Sequence, residues 1–418
     1  MARFLGSSIF CIAAVAVSAQ IPSWTAQIPD LAKRPFGGLP EVANVSVSQL
    51  YNATATSGLY NHVPMLDFYG AFLATWINAP VTEGDASRVA YSQSLDGVSW
   101  STMDVMFPNL TEPSGPPIIM YPSPALHING RVYAAASRSQ TELYPVEWFK
   151  DFILRSVDTA RLHTFGPLFW SGDIVPPGFD VISAQLGILT LNETDAVTQG
   201  DIRGSGLGNH TAPLPCEALP GVVTRTCEGC IGGCVPQATF EAQLLNERTH
   251  YTLAPAAGAV DVELMRYKWC PNATGLNNHR LFASIRVSEA GGWSAPVATD
   301  IPDSCSNINA GALPDGRRFL LSNSGPYGLR DPLTIGLSTD GLVFSESLAI
   351  VSCTQLSGGC TDRGGNGGGP GVSYPQSVLI EEPAWASGLW IIFSNNKEDI
   401  HVARVPIPLQ PEETVPGK

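Results

Sequence analysis

Charge is scarce in this chain, and positive charge is the scarcer kind. Only 14% of the 418 residues are charged, and 23 basic side chains face 37 acidic ones, for a net charge of −14. That balance excludes nucleic acid and anionic membrane surfaces as partners, since both select basic patches. Long helical periodicities are missing, and beyond the N-terminus no apolar run is long enough to cross a bilayer. Neither an HExxH helix nor an EF-hand loop occurs. Gly84 to Ser87 and Thr361 to Gly368 are only weak matches to calcium loops, so no metal or other cofactor is expected. What is plentiful is glycine (41) and proline (34), with 44% hydrophobic content. Such a composition belongs to a turn-rich all-β protein with a large core.

A hairpin pattern recurs six times. Its marker is a glycine between two apolar runs, at Gly70, Gly130, Gly187, Gly258, Gly316 and Gly388. Successive spacings are 60, 57, 71, 58 and 72 residues. Several strands fit in each interval, which predicts a six-bladed β-propeller of four-stranded antiparallel blades.

The chain divides accordingly. Residues 1–19 read as a secretory signal: Arg3, then a mostly apolar stretch from Phe4 to Val17, then Val17-Ser18-Ala19 as a small-residue cleavage pattern. Residues 20–58 are a leader with a short strand expected near Val42 to Val47, placed to close the ring onto the last blade. Residues 59–408 hold the blades, and 409–418 are a polar tail. Six Asn-x-Ser/Thr sequons, at Asn44, Asn52, Asn109, Asn192, Asn209 and Asn272, fit a secreted, extracellular chain, expected to be a monomer. Without Cys11, eight cysteines remain. Cys216, Cys227, Cys230 and Cys234 crowd an insertion at about 195–237; disulfides suit an oxidising compartment better than zinc does. Cys353 with Cys360, and Cys270 with Cys305, are further plausible pairs.

A hairpin brings residues about eight before and eight after its turn to the same rim. Before the turns stand His62, Asp180, Glu247 with His250, Asn307 with Asn309, and Tyr374. After them come Asn78, Arg138, Asp195, Arg266, Asn323 and Lys397. Tyr374 needs a longer hairpin, which Glu381 to Ala386 can supply. One rim is therefore chemically loaded, and its arginines in an acidic protein suit a carboxylate ligand.

Ser94-Leu95-Asp96-Gly97-Val98-Ser99-Trp100 and Ser338-Thr339-Asp340-Gly341-Leu342-Val343-Phe344 resemble the Asp box, the structural turn motif of the sialidase superfamily. Ser156 to Asp158 and Ser288 to Trp293 are degenerate copies. The resemblance spans nearly the whole mature chain as a pattern, with the Asp boxes as its close motif matches. It implies a six-bladed propeller with a pocket at the axis. Tyr374 is implied as nucleophile, Glu247 as its assisting base and Asp85 as acid/base, with Glu83 competing for that last role. Arg266 and Arg330 are implied as two members of a carboxylate clamp; Arg138, from its rim position alone, is expected as a further substrate contact, with His62. The family's first arginine, in a Phe/Tyr-Arg-Ile-Pro stretch, corresponds here to Tyr60-Asn61-His62-Val63-Pro64, with histidine in its place.

Each of these residues also has a plainer reading. Arg266 can cover a strand end, Tyr374 can pack between blades, Glu247 can pair with Arg248 at the surface, and Asp85 can be an ordinary loop residue. Three functions follow. The first is an exo-glycoside hydrolase that removes a terminal acidic sugar, sialic-acid-like or uronic. The second is a uronate lyase using His62 and Tyr374. The third is a glycan-binding propeller without catalysis.

Overall fold

The computed structural model describes residues 21–411 except 31, 34, 55–56, 83–86, 110–117, 129–130, 141–147, 171–178, 182–244, 254–259, 268–279, 287–293, 295, 305, 326–329, 362, 364–370 and 383–386. The fold is all-β, with six sheets: four are four-stranded and antiparallel, one is five-stranded and one two-stranded. Among the described residues the one helical element is a 3-10 turn at Cys353–Gln355, and no helix is long and apolar enough to cross a membrane.

The leader contributes β1 (Ser23–Trp24) and β2 (Ser46–Tyr51). The first blade is β3 (Tyr60–Phe68), β4 (Phe72–Ala79), β5 (Arg88–Ser94) and β6 (Asp104–Phe107), hydrogen-bonded in that order. The second is β7 (Ile118–Ile128), β8 (Arg131–Gln140), β9 (Trp148–Val157) and β10 (Phe165–Trp170), with β11 (Phe179–Val181) added in parallel. A third repeat surrounds Gly187, which lies outside the described residues together with the cysteine-rich stretch 195–237. Next come β12 (Leu245–Thr252), β13 (Asp261–Tyr267), β14 (Arg280–Arg286) and β15 (Val297–Pro302). They are followed by β16 (Asn309–Ala312), β17 (Arg318–Ser322) and β18 (Leu333–Ser338), then β19 (Val343–Phe344), which pairs with β1, and β20 (Glu346–Val351), which completes that blade. The last blade is β21 (Val372–Ile380), β22 (Gly388–Asn395), β23 (Asp399–Val405) and β2. This is the architecture of a six-bladed β-propeller, and each described blade runs from a first strand to a fourth.

The two ends of the chain meet in that last blade, where Ser46 pairs with Arg404 and Val47 with Ala403. The leader strand starts later than its apolar residues suggest. Val42 does not join β2 but makes an isolated bridge to Pro411. Asn44 then takes φ 57°, a left-handed turn conformation that asparagine tolerates, so the extended run restarts at Ser46.

Both faces of most blades are covered, which explains why the strands read as nearly continuous apolar runs. Between the first two blades Leu73, Val89 and Phe107 meet Met120, Val132 and Ile153. Between the first and last, the ring of Phe72 lies 4.7 Å from that of Trp390, with Trp76 and Ile392 beside them.

The Asp boxes act as staples between blades. In the first, Asp96 Oδ1 accepts the Val98 and Ser99 N–H groups at 2.8 and 2.6 Å, while Ser94 Oγ accepts from Gly97 at 2.8 Å. The second repeats this with Asp340, Ser338 and Gly341. The bonds from Ser99 and its neighbours hold the Asp96 carboxyl down at about 2, a state of permanent charge suited to capping a turn. Gly97 has φ +71°, and a Cβ there would fall 2.3 Å from the Trp390 ring of the last blade. Gly97→Ala is therefore expected to cost about 2–4 kcal/mol from the positive φ and overpacking combined. A denaturant titration reads this directly, and a variant as stable as the parent contradicts the staple.

Cys353 and Cys360 form a disulfide, one of the two pairs foreseen outside the insertion. Cys270 and Cys305 lie outside the described residues.

Candidate active site

The innermost strands β3 and β21, in neighbouring blades, share an irregularity. In β3 the pairing with β4 slips between His62 and Met65, and Val63 there has φ 50° just before Pro64. In β21 the pairing with β22 slips between Ser373 and Gln376, and Tyr374 has φ 60° just before Pro375. Proline cannot donate to a ladder, so a break at each position follows from the sequence. Positive φ does not follow, because a residue before proline prefers extended backbone and bulky L-residues avoid this region. Such strain, about 1–3 kcal/mol per residue, tends to collect where side-chain placement matters most. Here it occurs twice, beside His62 and at Tyr374.

Three groups able to carry positive charge surround Tyr374. Arg266, at the end of β13, donates from Nη1 to the Tyr374 hydroxyl at 3.0 Å. The Arg330 guanidinium carbon lies 5.5 Å from the centre of the tyrosine ring. The His62 ring packs against the same ring at 3.8 Å between centroids, tilted by 60°. His62 Nδ1 is 3.2 Å from Ser394 Oγ on β22. Exposure is 1% for His62, 9% for Arg266, 6% for Arg330 and 7% for Tyr374, so their mutual interactions are only weakly screened by water. Tyr60, Val63, Met65 and Ile77 form an apolar wall around the tyrosine, with Tyr121 beside them.

Arg330 reaches the site because its backbone lies against Gly371 in a parallel bridge. A Cβ on Gly371 would sit 2.5 Å from the Arg330 carbonyl oxygen, and its φ is +129°, so glycine is required there. Asn323 ties the two segments together, donating from Nδ2 to the carbonyls of Pro332 at 3.0 Å and Val372 at 2.8 Å. Asp331 accepts from the Cys353 N–H at 2.8 Å and the Ser352 hydroxyl at 3.0 Å, which fixes the next turn of chain. Asn323 is thus a strut, although its rim position makes it look like a ligand group.

Four of the residues singled out from sequence therefore converge: His62, Arg266, Arg330 and Tyr374. Glu247 lies in β12 at a bulge, between the pairs Asn246 with Arg266 and Arg248 with Met265. Its backbone is thus beside that of Arg266, while its side chain lies outside the described residues. Arg138 is in β8 opposite Met120 and Asp151, again with its side chain outside the description. Asp85 and Glu83 fall in 83–86, outside the described residues. Sequence reasoning missed Ser394, Val63 and Ser306, whose hydroxyl oxygen lies 3.5 Å from the Tyr374 N–H that donates to it. Only Val63 carried a signal, the proline after it. Among the described residues, the one acid-and-cysteine group compact enough for a cation is Asp331 with Cys353 and Cys360, and both sulfurs there are joined to each other.

Residues 265–385, which include Arg266, Arg330 and Tyr374, match the family model described as a BNR repeat-like domain. A solved structure named sialidase is similar at 21% identity with a TM-score of 0.60, covering 94% of this chain and 35% of that one. The chain has a sialidase-type propeller fold. It spans about a third of the length of that sialidase structure. A Hadza microbial sialidase aligns at 12% identity and TM-score 0.49, over 87% of this chain and 69% of that one. A mutant of Trypanosoma rangeli sialidase displaying trans-sialidase activity aligns at 10% and 0.46, over 88% and 60%. A search of curated protein sequences finds no match.

Proposed function

We propose that this chain is a secreted, retaining exo-glycoside hydrolase that removes a terminal acidic sugar from glycans. The observation that carries the reading is the hydrogen bond from Arg266 to the Tyr374 hydroxyl, with Arg330 across the same ring. A phenol is a weak nucleophile at neutral pH, and donors and positive charge around its oxygen favour the ionised form. A sugar bearing a carboxylate at the reacting carbon repels a carboxylate nucleophile. That is why a tyrosine serves in the sialidase exception to the usual two-carboxylate scheme.

In this proposal Glu247 takes the phenolic proton as Tyr374 Oη bonds to the anomeric carbon. The aglycone oxygen leaves with the proton of Asp85. Water then attacks the glycosyl–tyrosine bond, giving its proton to Asp85, and Tyr374 recovers its own from Glu247. The net change is one glycoside and one water converted to two free hydroxyl compounds. Arg266 and Arg330 hold the substrate carboxylate, and Arg138 contacts the sugar from the rim. His62, in the stretch that resembles the one carrying the family's first arginine, hydrogen-bonds the substrate from a smaller side chain. Residues 59–408 act as one catalytic propeller, with 1–19 removed and 20–58 closing the ring.

Arg330→Lys tests the clamp, because lysine cannot offer a planar two-point fork. The expected result is a fall in kcat/KM of about 10- to 100-fold on glycans ending in a carboxylate sugar, carried mainly by KM. Equal activity in the variant is incompatible with a carboxylate clamp at this position.

The contact between the His62 and Tyr374 rings favours one second reading, a uronate lyase in which these two groups remove and deliver the proton of a β-elimination. The product distinguishes the two, since elimination leaves an unsaturated, ultraviolet-absorbing sugar and hydrolysis does not.

A further inference from the structure

We infer that Asn44 and Asn52 carry N-linked glycans that shield the outer edge of β2 from pairing with another chain. Asn44-Val45-Ser46 and Asn52-Ala53-Thr54 are both acceptor sequons. Asn44 lies two residues before β2 and Asn52 directly after it, and both are exposed. β2 is the outermost strand of the last blade, and among the described residues no strand pairs with its far side. An outermost strand offers a row of backbone donors and acceptors to any passing strand. Proteins usually blunt such an edge with charge, proline or a covering segment.

Other outer edges here have those devices. The leader covers β20, with Val42 N–H donating to the Ala349 carbonyl and Ala349 N–H to that of Pro40, each at 2.9 Å. Trp24 N–H donates to Asp300 on β15 at 2.7 Å. On β6, Asp104 uses its own carboxylate to accept the Val105 N–H at 2.7 Å. Among the described residues β2 has neither charge, proline nor a covering strand, and its one irregularity, in the pairing with β23 between Gln49 and Tyr51, leaves Ser46 to Gln49 regularly paired and open on the far side. Its sequence, Ser-Val-Ser-Gln-Leu-Tyr, contains no charge and no proline, and Val47 is 39% exposed. What it has instead is a sequon at each end. A bulky, solubilising glycan at both ends of a strand about 20 Å long prevents a second strand from lying alongside.

The test is expression through a glycosylating secretory host, behind the chain's own or a surrogate signal, followed by glycopeptide mass spectrometry. Both asparagines are expected to be occupied, and finding neither occupied overturns the inference. A Ser46→Ala, Thr54→Ala double variant keeps both asparagines but destroys both sequons. Light scattering is expected to show it self-associating at concentrations where the glycosylated protein is monomeric. Adding Val47→Lys to the double variant is expected to restore the monomer by placing charge on the bare edge. Thr54→Ser, which preserves the sequon and the hydroxyl, is expected to behave as the parent. A double variant that stays monomeric, or association that Val47→Lys leaves untouched, rules out the shielding role.

Discussion

Tyr374→Phe is expected to abolish turnover while leaving the protein folded. The ring stays, and with it the packing against His62 and the Arg330 guanidinium. Only the hydroxyl that accepts from Arg266 is lost. Removing an enzyme's nucleophile costs at least about a thousandfold in kcat. Losing one hydrogen bond from a charged donor costs only about 1.5–3 kcal/mol in stability. The two readouts therefore separate chemistry from folding. A variant that melts close to the parent yet hydrolyses nothing supports Tyr374 as the attacking group. A variant that keeps full hydrolysis removes the tyrosine from the mechanism. Retained glycan binding with no turnover in either protein points to the non-catalytic lectin.

The second large effect concerns ring closure. Arg363 donates from Nε to Glu398 at 2.8 Å, from Nη2 to Asp399 and from Nη1 to Asn52 at 3.1 Å, while its own N–H donates to Glu398 at 2.7 Å. Glu398 and Asp399 are almost wholly buried, whereas the Arg363 side chain is 36% exposed. Asp399 also accepts the Ala53 N–H at 2.9 Å, just after β2. One guanidinium thus joins three segments: the chain after the disulfide, the turn after β22, and the end of the leader strand that completes the last blade. Arg363→Ala takes the compensating charge from two buried carboxylates, a change that costs about 3–5 kcal/mol when the pair is fully buried. Because Arg363 is partly exposed, water recovers some of this, and a loss of about 2–3 kcal/mol is expected. Arg363→Lys should recover only part, since an ammonium cannot fork across both carboxylates. Equilibrium denaturation of the three proteins reads the ranking. Indistinguishable midpoints mean that the closure is held elsewhere.

The blades were legible from sequence because their signals are local. A glycine turn between apolar runs specifies a hairpin, and an Asp box specifies the turn of the next one. Register then carries the reading further: with a turn at Gly70, His62 eight residues before it shares a rim with the strand that follows. A longer hairpin, in which Gly388 already pairs with Ile380, brings Tyr374 to the same rim. Arg266 was placed there from Gly258, which lies outside the described residues. What stayed hidden depends on contacts with no local pattern. The Arg363 clamp joins residues 35 and 311 positions apart. Asn323 was visible as a polar rim residue, but its role as a strut depends on two carbonyls in different segments. The leader strand was misplaced by a few residues because the turn at Asn44 leaves no apolar signature. The bulges at Val63 and Tyr374 were half legible, since proline announces a broken ladder but not a positive φ.

The central claim, that the group of residues around Tyr374 hydrolyses a terminal acidic sugar, is tested most directly by product analysis. The purified protein is incubated with glycans ending in sialic acid or in a uronic acid, and the products are weighed by mass spectrometry. Release of one acidic monosaccharide with the uptake of one water, absent in Tyr374→Phe, is the expected result. An unsaturated product, or unchanged glycans across both sets after prolonged incubation, contradicts it.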